Sequence, residues 1–443
     1  MTESLGESLG LWMVVPFAGM LLSIAVLPLV AGHWFEHARH QAQVAAVFGI
    51  PVLVYLVGRF GGEGLELVLR TGEEYVSFIV LLAALFTVSG GIYLTGNLLG
   101  TPLSNVAFLL VGAVLANFIG TTGAAMVLIR PLLRANSERK YRTHVVIFAI
   151  FVICNVGGLL TPLGDPPLFL GFLRGVDFFW TLRLLPQWAM GVGLTVLVFM
   201  VVDTTLYRRE PAKMRRADIA DYVPLGIAGK VNVLFLAGII GAVLLSKPLA
   251  EVGDFIRFPF VRELAMVAML ILSLKVGPHG TRMANHFSWG PITEVAIVFA
   301  GIFAAMIPAL AILEARGSEL GLTEPWQFFW VTGALSSFLD NAPTYLTFTS
   351  TAQGYLGVHG LPALMGTELV ANAGASPSAF LAAISTGAVF MGANSYIGNA
   401  PNFMVRSIAE SSGVKMPSFF GYMAYSAGVL IPIFFVVTLV FFI

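Results

Sequence analysis

Asn117-Phe-Ile-Gly-Thr-Thr-Gly123 and Ser336-Ser-Phe-Leu-Asp-Asn-Ala-Pro343 are two polar, turn-forming stretches set inside long apolar runs, and their reading decides the fold. Each stands between two apolar arms, about 102–134 in one case and 325–352 in the other. A bilayer core asks for roughly 20 apolar residues per helix, so neither arm crosses alone. Irregular backbone at membrane depth is tolerated only where protein wraps it or where it lines a wet cavity. Both segments therefore read as re-entrant hairpins.

Working outward from the hairpins, apolar runs at 11–32, 42–59, 76–99, 144–161, 184–206, 231–250, 261–275, 294–313, 378–394 and 419–443 read as helices. Of the 443 residues, 57% are hydrophobic and 11% charged, which excludes a water-soluble globular domain. Lys+Arg and Asp+Glu both total 24, so no basic footprint for nucleic acid exists. Cys154 is the single cysteine, so no intrachain disulfide can form. Met1 to Gly10 carries Glu3 and Glu7 and no Lys or Arg, whereas a secretory signal needs a positive start; Leu11 to Gly32 reads as a retained helix beginning outside.

Counting the hairpins as non-crossing places loops 33–41, 134–143, 207–230, 275–286 and 402–417 on one face. Most of the Lys and Arg gather there, including Arg134, Arg139, Lys140 and Arg142, and Arg208, Arg209, Lys213, Arg215 and Arg216. By the positive-inside rule that face is cytoplasmic. Glu3, Glu7, Glu63, Glu66, Glu73 and Glu74 collect on the other.

The two hairpins also resemble each other. Gly112-Ala113 aligns with Gly333-Ala334, which sets Gly120-Thr121-Thr122 opposite Asn341-Ala342-Pro343 at an offset of 221. Thr161-Pro-Leu-Gly164-Asp165-Pro-Pro167 aligns with Ser395-Tyr-Ile-Gly398-Asn399-Ala-Pro401 at an offset of 234. The expected architecture is an all-α polytopic membrane protein of two inverted-topology repeats, each with three helices, a re-entrant hairpin, a broken helix and a closing helix. The first repeat would cover 1–206, with its hairpin at 102–134 and broken helix at about 144–170. A cytoplasmic linker, 207–230, leads to the second repeat, 231–443, with its hairpin at 325–352 and broken helix at about 378–404. An odd number of crossings per half inverts the second copy.

Proline and glycine in the breaks at Gly157–Pro167 and Gly392–Pro401 free backbone carbonyls and expose helix ends, and both bind ions. Pairing each tip with the break of its own half gives two pseudo-symmetric cation sites. One would use Asn117, Thr121, Thr122, Thr161 and Asp165; the other Ser337, Asp340, Asn341, Asn394, Ser395 and Asn399. Oxygen-rich, sulfur-free ligands suit hard cations such as sodium, for which Asp340, Asn341 and Asn399 are the first metal-ligand candidates. Asp340 is a carrier of sodium or a proton, or a helix cap. Asp165 is the same, or a turn residue near the external interface. Glu294 is a second proton site or a snorkelling side chain. Asp203 reads as a juxtamembrane partner of Arg208 and Arg209, and Arg130 as an anion attractor or a headgroup ligand. His33-Trp-Phe-Glu36-His37 has the H-x-x-E-H spacing of a zinc site but sits at a membrane edge with no evident third ligand. Gly164-Asp165 lacks the first glycine of the aspartyl intramembrane protease motif, and no Walker motif occurs. A transporter is expected, not an enzyme.

The hairpins and breaks resemble those of the ion transporter superfamily over nearly the whole chain. Ser336-Ser-Phe-Leu-Asp340-Asn341-Ala-Pro343 is similar to the Asp-Asn-x-Pro hairpin of NhaD-type sodium/proton antiporters; related arsenite permeases usually carry Asn-Asn, and dicarboxylate symporters Ser-Asn-Thr at both tips. The resemblance implies sodium (or lithium)/proton antiport, with proton and cation competing at midplane carboxylates. It also implies a homodimer moving its hairpin domain like an elevator, in a bacterial inner (plasma) membrane with the N-terminus outside. No cofactor is implied beyond the transported sodium and protons, and the partners are small inorganic ions and the lipid bilayer. The alternative is symport or efflux of a small oxyanion such as citrate, a dicarboxylate or arsenite, whose cue is the pair of half-helix N-termini at the tips.

Overall fold

The computed structural model describes residues 6–35, 37–256, 258–370 and 374–443. Glu3 and Glu36 lie outside the described residues, as do the side chains of Arg215 and Arg216. The chain is an all-α polytopic membrane protein. Among the described residues six helices are long and apolar enough to cross a membrane, and a seventh span forms if Val231–Leu244 and Ser246–Ile256, bent by 72°, count together.

Helix α1, Val15–Val30, leads into a long helical segment, α2, Ala38–Ser89, interrupted at Gly61 with φ 57°. The expected loop between 59 and 76 is helical instead. Glu66 and Arg70 stand four residues apart there, a spacing that favours helix without apolar periodicity. The expected span 76–99 stops at Ser89: residues Tyr93–Asn97 form strand β1, which pairs antiparallel with β2, Val223–Ala228, from the linker. The linker thus carries its own structure, including helix Ala212–Ala220.

Pro102–Ala135 turns back on itself at Gly120, whose φ of 76° and ψ of 155° are open to glycine and costly for other residues. The reversal is visible in the side chains. Asn105 and Asn136 exchange hydrogen bonds of 3.0 and 2.7 Å across the hairpin base, although 31 residues separate them. The second hairpin comprises Pro325–Ser336 and Asn341–Leu356; Phe380 packs at 5.3 Å on Phe328 of the outgoing arm and at 5.9 Å on Tyr355 of the returning arm. The helices beside the hairpins break where the sequence places Gly and Pro: Thr143–Val152 resumes as Pro166–Leu173, and Pro377–Met391 as Ala400–Ser411. Leu185–Arg208 and Phe419–Phe441 follow them.

The remaining helices flank this core. Gly290–Arg316 crosses α2 closely, and a methyl group at Gly301 would sit 2.7 Å from the Ala45 Cβ, so small residues set this approach. Phe78, Phe299 and Phe303 fill the space beside that crossing, with Phe78 to Phe299 at 4.9 Å.

Candidate functional site

The two tips and the two breaks meet at one carboxylate. Asp165, 1% exposed, begins the helix Pro166–Leu173 in the first break. Thr121, the first residue past Gly120 in the first hairpin, donates through Oγ1 to Asp165 Oδ1 at 2.9 Å. Asn399, at the head of Ala400–Ser411 in the second break, donates to the same oxygen at 3.0 Å. Asn341, the first residue of the second hairpin's returning arm, donates to Oδ2. Each of these four residues stands at the start of a helical segment, so four N-terminal ends, each with a partial positive charge, meet at one carboxyl group.

The expected pairing of each tip with the break of its own half is present and is joined by contacts across the halves. Asp165 does not serve its own tip and break alone, since two of its three side-chain donors come from the second half. It follows directly on the turn in which the Gly164 N–H bonds Thr161 O, and it is buried. The contacts cross the halves because a break leaves its N-cap carboxylate unsatisfied, and the opposite half supplies the amides that satisfy it.

The other candidates hold the tips to the breaks. Asn117 donates to Gly157 O at 2.7 Å, and its Oδ1 accepts the Leu160 N–H at 2.7 Å. Thr161 Oγ1 donates to Asn117 O at 2.5 Å and accepts the Leu163 N–H at 3.2 Å. In the second half Ser395 Oγ donates to Ser337 O at 2.5 Å and accepts the Ile397 N–H at 3.2 Å, while Asn394 donates to Ser337 Oγ at 2.9 Å. Ser337 thus makes the contact with Ser395 that Asn117 makes with Thr161, which moves the hairpin register by one residue from the sequence alignment. Thr122 is half-buried beside Thr121. Asp340 is half-buried and caps the helix Asn341–Leu356, its Oδ1 accepting the Ala342 N–H at 3.1 Å. Glu294 is exposed near the start of Gly290–Arg316.

Asn155 and Asn402 were missed from sequence. Asn155 donates to Asn402 Oδ1 at 2.8 Å, and Asn402 donates to Gly392 O and Ser395 O, both at 2.9 Å, so the pair ties one break to the other. The available signal was polarity alone: an asparagine in the apolar run 144–161, and one past the Pro401 of the second break. At this site the buried amide oxygens Asn341 Oδ1 and Asn394 Oδ1 have no hydrogen-bond partner among the described residues.

The comparison with known families now bears on this geometry. A family model described as "Putative citrate transport" matches residues 6–442. The chain belongs to that family. No curated protein matches it. Membership in this family agrees with a membrane transporter built on broken helices.

A second polar cluster lies at the base of the first hairpin. Asp203, fully buried, accepts from Arg139 Nη2 at 2.5 Å and from Asn105 at 3.0 Å, with His144 Nε2 at 2.8 Å. Glu210 accepts the backbone N–H groups of Lys140 and Tyr141 at 3.1 and 2.8 Å. The expected partners of Asp203, Arg208 and Arg209, are replaced by Arg139 because the hairpin's return leads residues 134–143 back over the end of Leu185–Arg208. At the edge of the first helix, His37 Nδ1 bonds His33 O at 3.0 Å and His40 Nδ1 bonds Trp34 O at 2.6 Å, so these ring nitrogens are engaged by backbone. Arg134 donates to the Tyr93 hydroxyl at 2.6 Å, and Arg130 is half-buried one turn before it.

Proposed function

We propose that the protein is a secondary active transporter for a citrate-like polycarboxylate, with the coupling cation or proton carried at Asp165. The observation that carries this reading is the meeting of four helix N-termini at the Asp165 carboxylate. Such ends favour negative charge, and Asp165 occupies them as an internal anion. A proton or sodium ion on Asp165 cancels that charge and leaves the N-terminal ends free to attract the carboxylates of a cargo. Binding of cation and anion is then mutually dependent, which is the requirement for symport. The family description supports the same cargo.

Sodium (or lithium)/proton antiport is the second reading. It is favoured by the unpartnered Asn341 Oδ1 and Asn394 Oδ1, neutral oxygens of the kind a hard cation takes, near the acids Asp165 and Asp340. In that scheme the proton and the metal ion exclude each other at Asp165.

The two halves are proposed to be inverted repeats. Asp165 and Asn399 are equivalent at the offset of 234 and bond to each other at 3.0 Å, as residues beside a two-fold axis between repeats would.

Proteoliposomes loaded with a pH indicator separate the two cargoes. Labelled citrate should accumulate under an inward proton or sodium gradient. A sodium- or lithium-driven pH change with no citrate uptake would overturn the first reading in favour of the second.

A further inference from the structure

Away from the tips and breaks, a cavity of about 160 Å³ opens on the face that the charge distribution reads as external. Three elements build it. Glu73 and Ser77, one turn apart on α2, form one wall, and Ser246, Leu249 and Ala250 of Ser246–Ile256 form the second. Pro259, Phe260, Arg262 and Glu263, at the start of Val261–Val276, form the third. At roughly 30 Å³ per water the space holds about five waters, which is more than a bare ion needs and enough for a small organic one.

The charges on the walls do not balance. Glu263, 4% exposed, lies in the first turn of its helix, where the helix end favours a carboxylate. Its Oε1 accepts from Arg262 Nε at 2.9 Å and from Arg262 Nη2, so that pair is neutral. Glu73 is exposed and has no ion pair among the described residues, which leaves the cavity one net negative charge. Acceptors accompany it. Ser89, further along α2, donates to Leu85 O at 2.6 Å, whereas Ser77, 7% exposed, makes no hydrogen bond among the described residues. A buried hydroxyl without a partner on a cavity wall is a place for a ligand's donor. Ser246 donates its proton to Val243 O, which leaves its oxygen able to accept. Leu249, Ala250, Pro259 and Phe260 make the rest of the lining apolar. A hydrated metal ion gains nothing from that side, while an alkylammonium buries its carbons there and turns its N–H donors to the oxygens.

We propose that this cavity binds a primary alkylammonium, with its N–H groups on Glu73 and Ser77 and its carbons against Leu249 and Phe260. The site is separate from Asp165 and independent of the cargo. The ammonium comes either from a free amine or from the headgroup of an ethanolamine lipid. A headgroup has access because Ser246–Ile256 bends by 72° from Val231–Leu244 and leaves Phe255 89% exposed, as a helix lying along the membrane surface does.

Thermal unfolding of the full-length protein in detergent tests this, with the chlorides of propylammonium, tetramethylammonium, sodium and magnesium at one ionic strength. Propylammonium should raise the melting temperature of the wild type by a few degrees beyond the others, because tetramethylammonium carries the charge without N–H donors. Glu73→Gln should need a roughly tenfold higher concentration for the same rise, through loss of a charge-assisted bond, and Ser77→Ala a severalfold higher one. Vesicles of phosphatidylethanolamine set against phosphatidylcholine separate the sources. A response to propylammonium in detergent identifies a free amine; a response only to phosphatidylethanolamine identifies a headgroup. Should Glu73→Gln not fold, Ser77→Ala carries the same comparison. The proposal is overturned if neither probe moves the wild type, if tetramethylammonium, sodium or magnesium matches propylammonium, or if either folded variant responds like the wild type. Failure of both variants to fold would overturn it as well, since side chains that serve a ligand are dispensable to the fold.

Discussion

Asp165→Asn should leave the fold nearly intact and abolish coupled transport. Thr121 and Asn399 both donate to Asp165 Oδ1, and Asn341 donates to Oδ2 while its own Oδ1 has no partner among the described residues. If the new amide oxygen takes the place of Oδ1, both of its donors are kept. The new NH2 then faces the NH2 of Asn341, and a half-turn of the Asn341 amide presents its idle oxygen and restores the third bond. All three bonds survive but fall from charge-assisted to neutral, a loss of about 1 kcal/mol each and about 3 kcal/mol together. Against this, the several kcal/mol needed to desolvate a buried carboxylate no longer applies. Opposed terms of similar size leave a net change in stability of no more than about 2 kcal/mol. Transport has no such compensation, because a cation or proton held by the charge loses its ligand. A loss of about 3 kcal/mol in ion binding is roughly a 100-fold fall in coupled flux at limiting ion. Thermal unfolding and proteoliposome uptake should be measured on one preparation. Flux that keeps its sodium or pH dependence within about threefold of wild type would refute the assignment of coupling to Asp165, and a variant that does not fold would refute the argument from the Asn341 amide.

Other substitutions test other elements. Gly120→Ala should cost about 1–3 kcal/mol in denaturant unfolding through φ alone, because a methyl group there meets nothing nearer than 3.4 Å; a change within experimental error would show that the turn relaxes freely. Removing either Arg139 or Asp203 should cost about 3–5 kcal/mol by taking the nearest opposite charge from the other in a buried site, whereas Arg139→Met with Asp203→Leu should recover part of the loss. A double-mutant cycle with no coupling energy would rule out that pair as a structural clasp. Asp340→Ala should lose about 0.5–2 kcal/mol of helix capping, and Asp340→Ser should keep both stability and transport. Abolished transport in a stable Asp340→Ser protein would make Asp340 a coupling carboxylate.

The parts of the fold legible from sequence were those written in local chemistry. Gly120, Pro166 and Pro401 end or start helices by their own backbone constraints, so the hairpins and breaks could be placed before any contact was known. The strand Tyr93–Asn97 was hidden because its partner, Val223–Ala228, lies in the linker: a short strand that directly follows an apolar helix reads as more helix until its pairing is seen. The site divided along the same line. Every residue that bonds Asp165 was a candidate, because a polar group in an apolar run stands out at once. The contacts across the halves were not legible, since sequence similarity pairs each tip with its own break, whereas Asn341 and Asn399 reach Asp165 from the second half of the chain. Asn155 has no polar counterpart at the offset of 234, where the residue is Val389, so the internal alignment gave no prompt for it.

That crossing of the halves limits how the protein can move. Were one hairpin to shift against the opposite break, Asp165 would lose Asn341 or Asn399 and be left as a poorly partnered buried acid. The bond from Asn155 to Asn402 would part in the same displacement, and it ties break to break with no charge involved. Within each half, Asn117 and Ser337 fasten tip to break through backbone and side chain together. Tips and breaks are therefore least costly to move as one body, with the rearrangement taken up at contacts that hold no buried charge. The apolar crossing of Ala38–Ser89 with Gly290–Arg316 belongs to the other side of that division, a close approach of small residues set apart from the polar core. On the proposed function, cargo would be exposed alternately by displacing the intact site, and a site made neutral by a proton or cation on Asp165 is the one whose displacement through an apolar surround costs least.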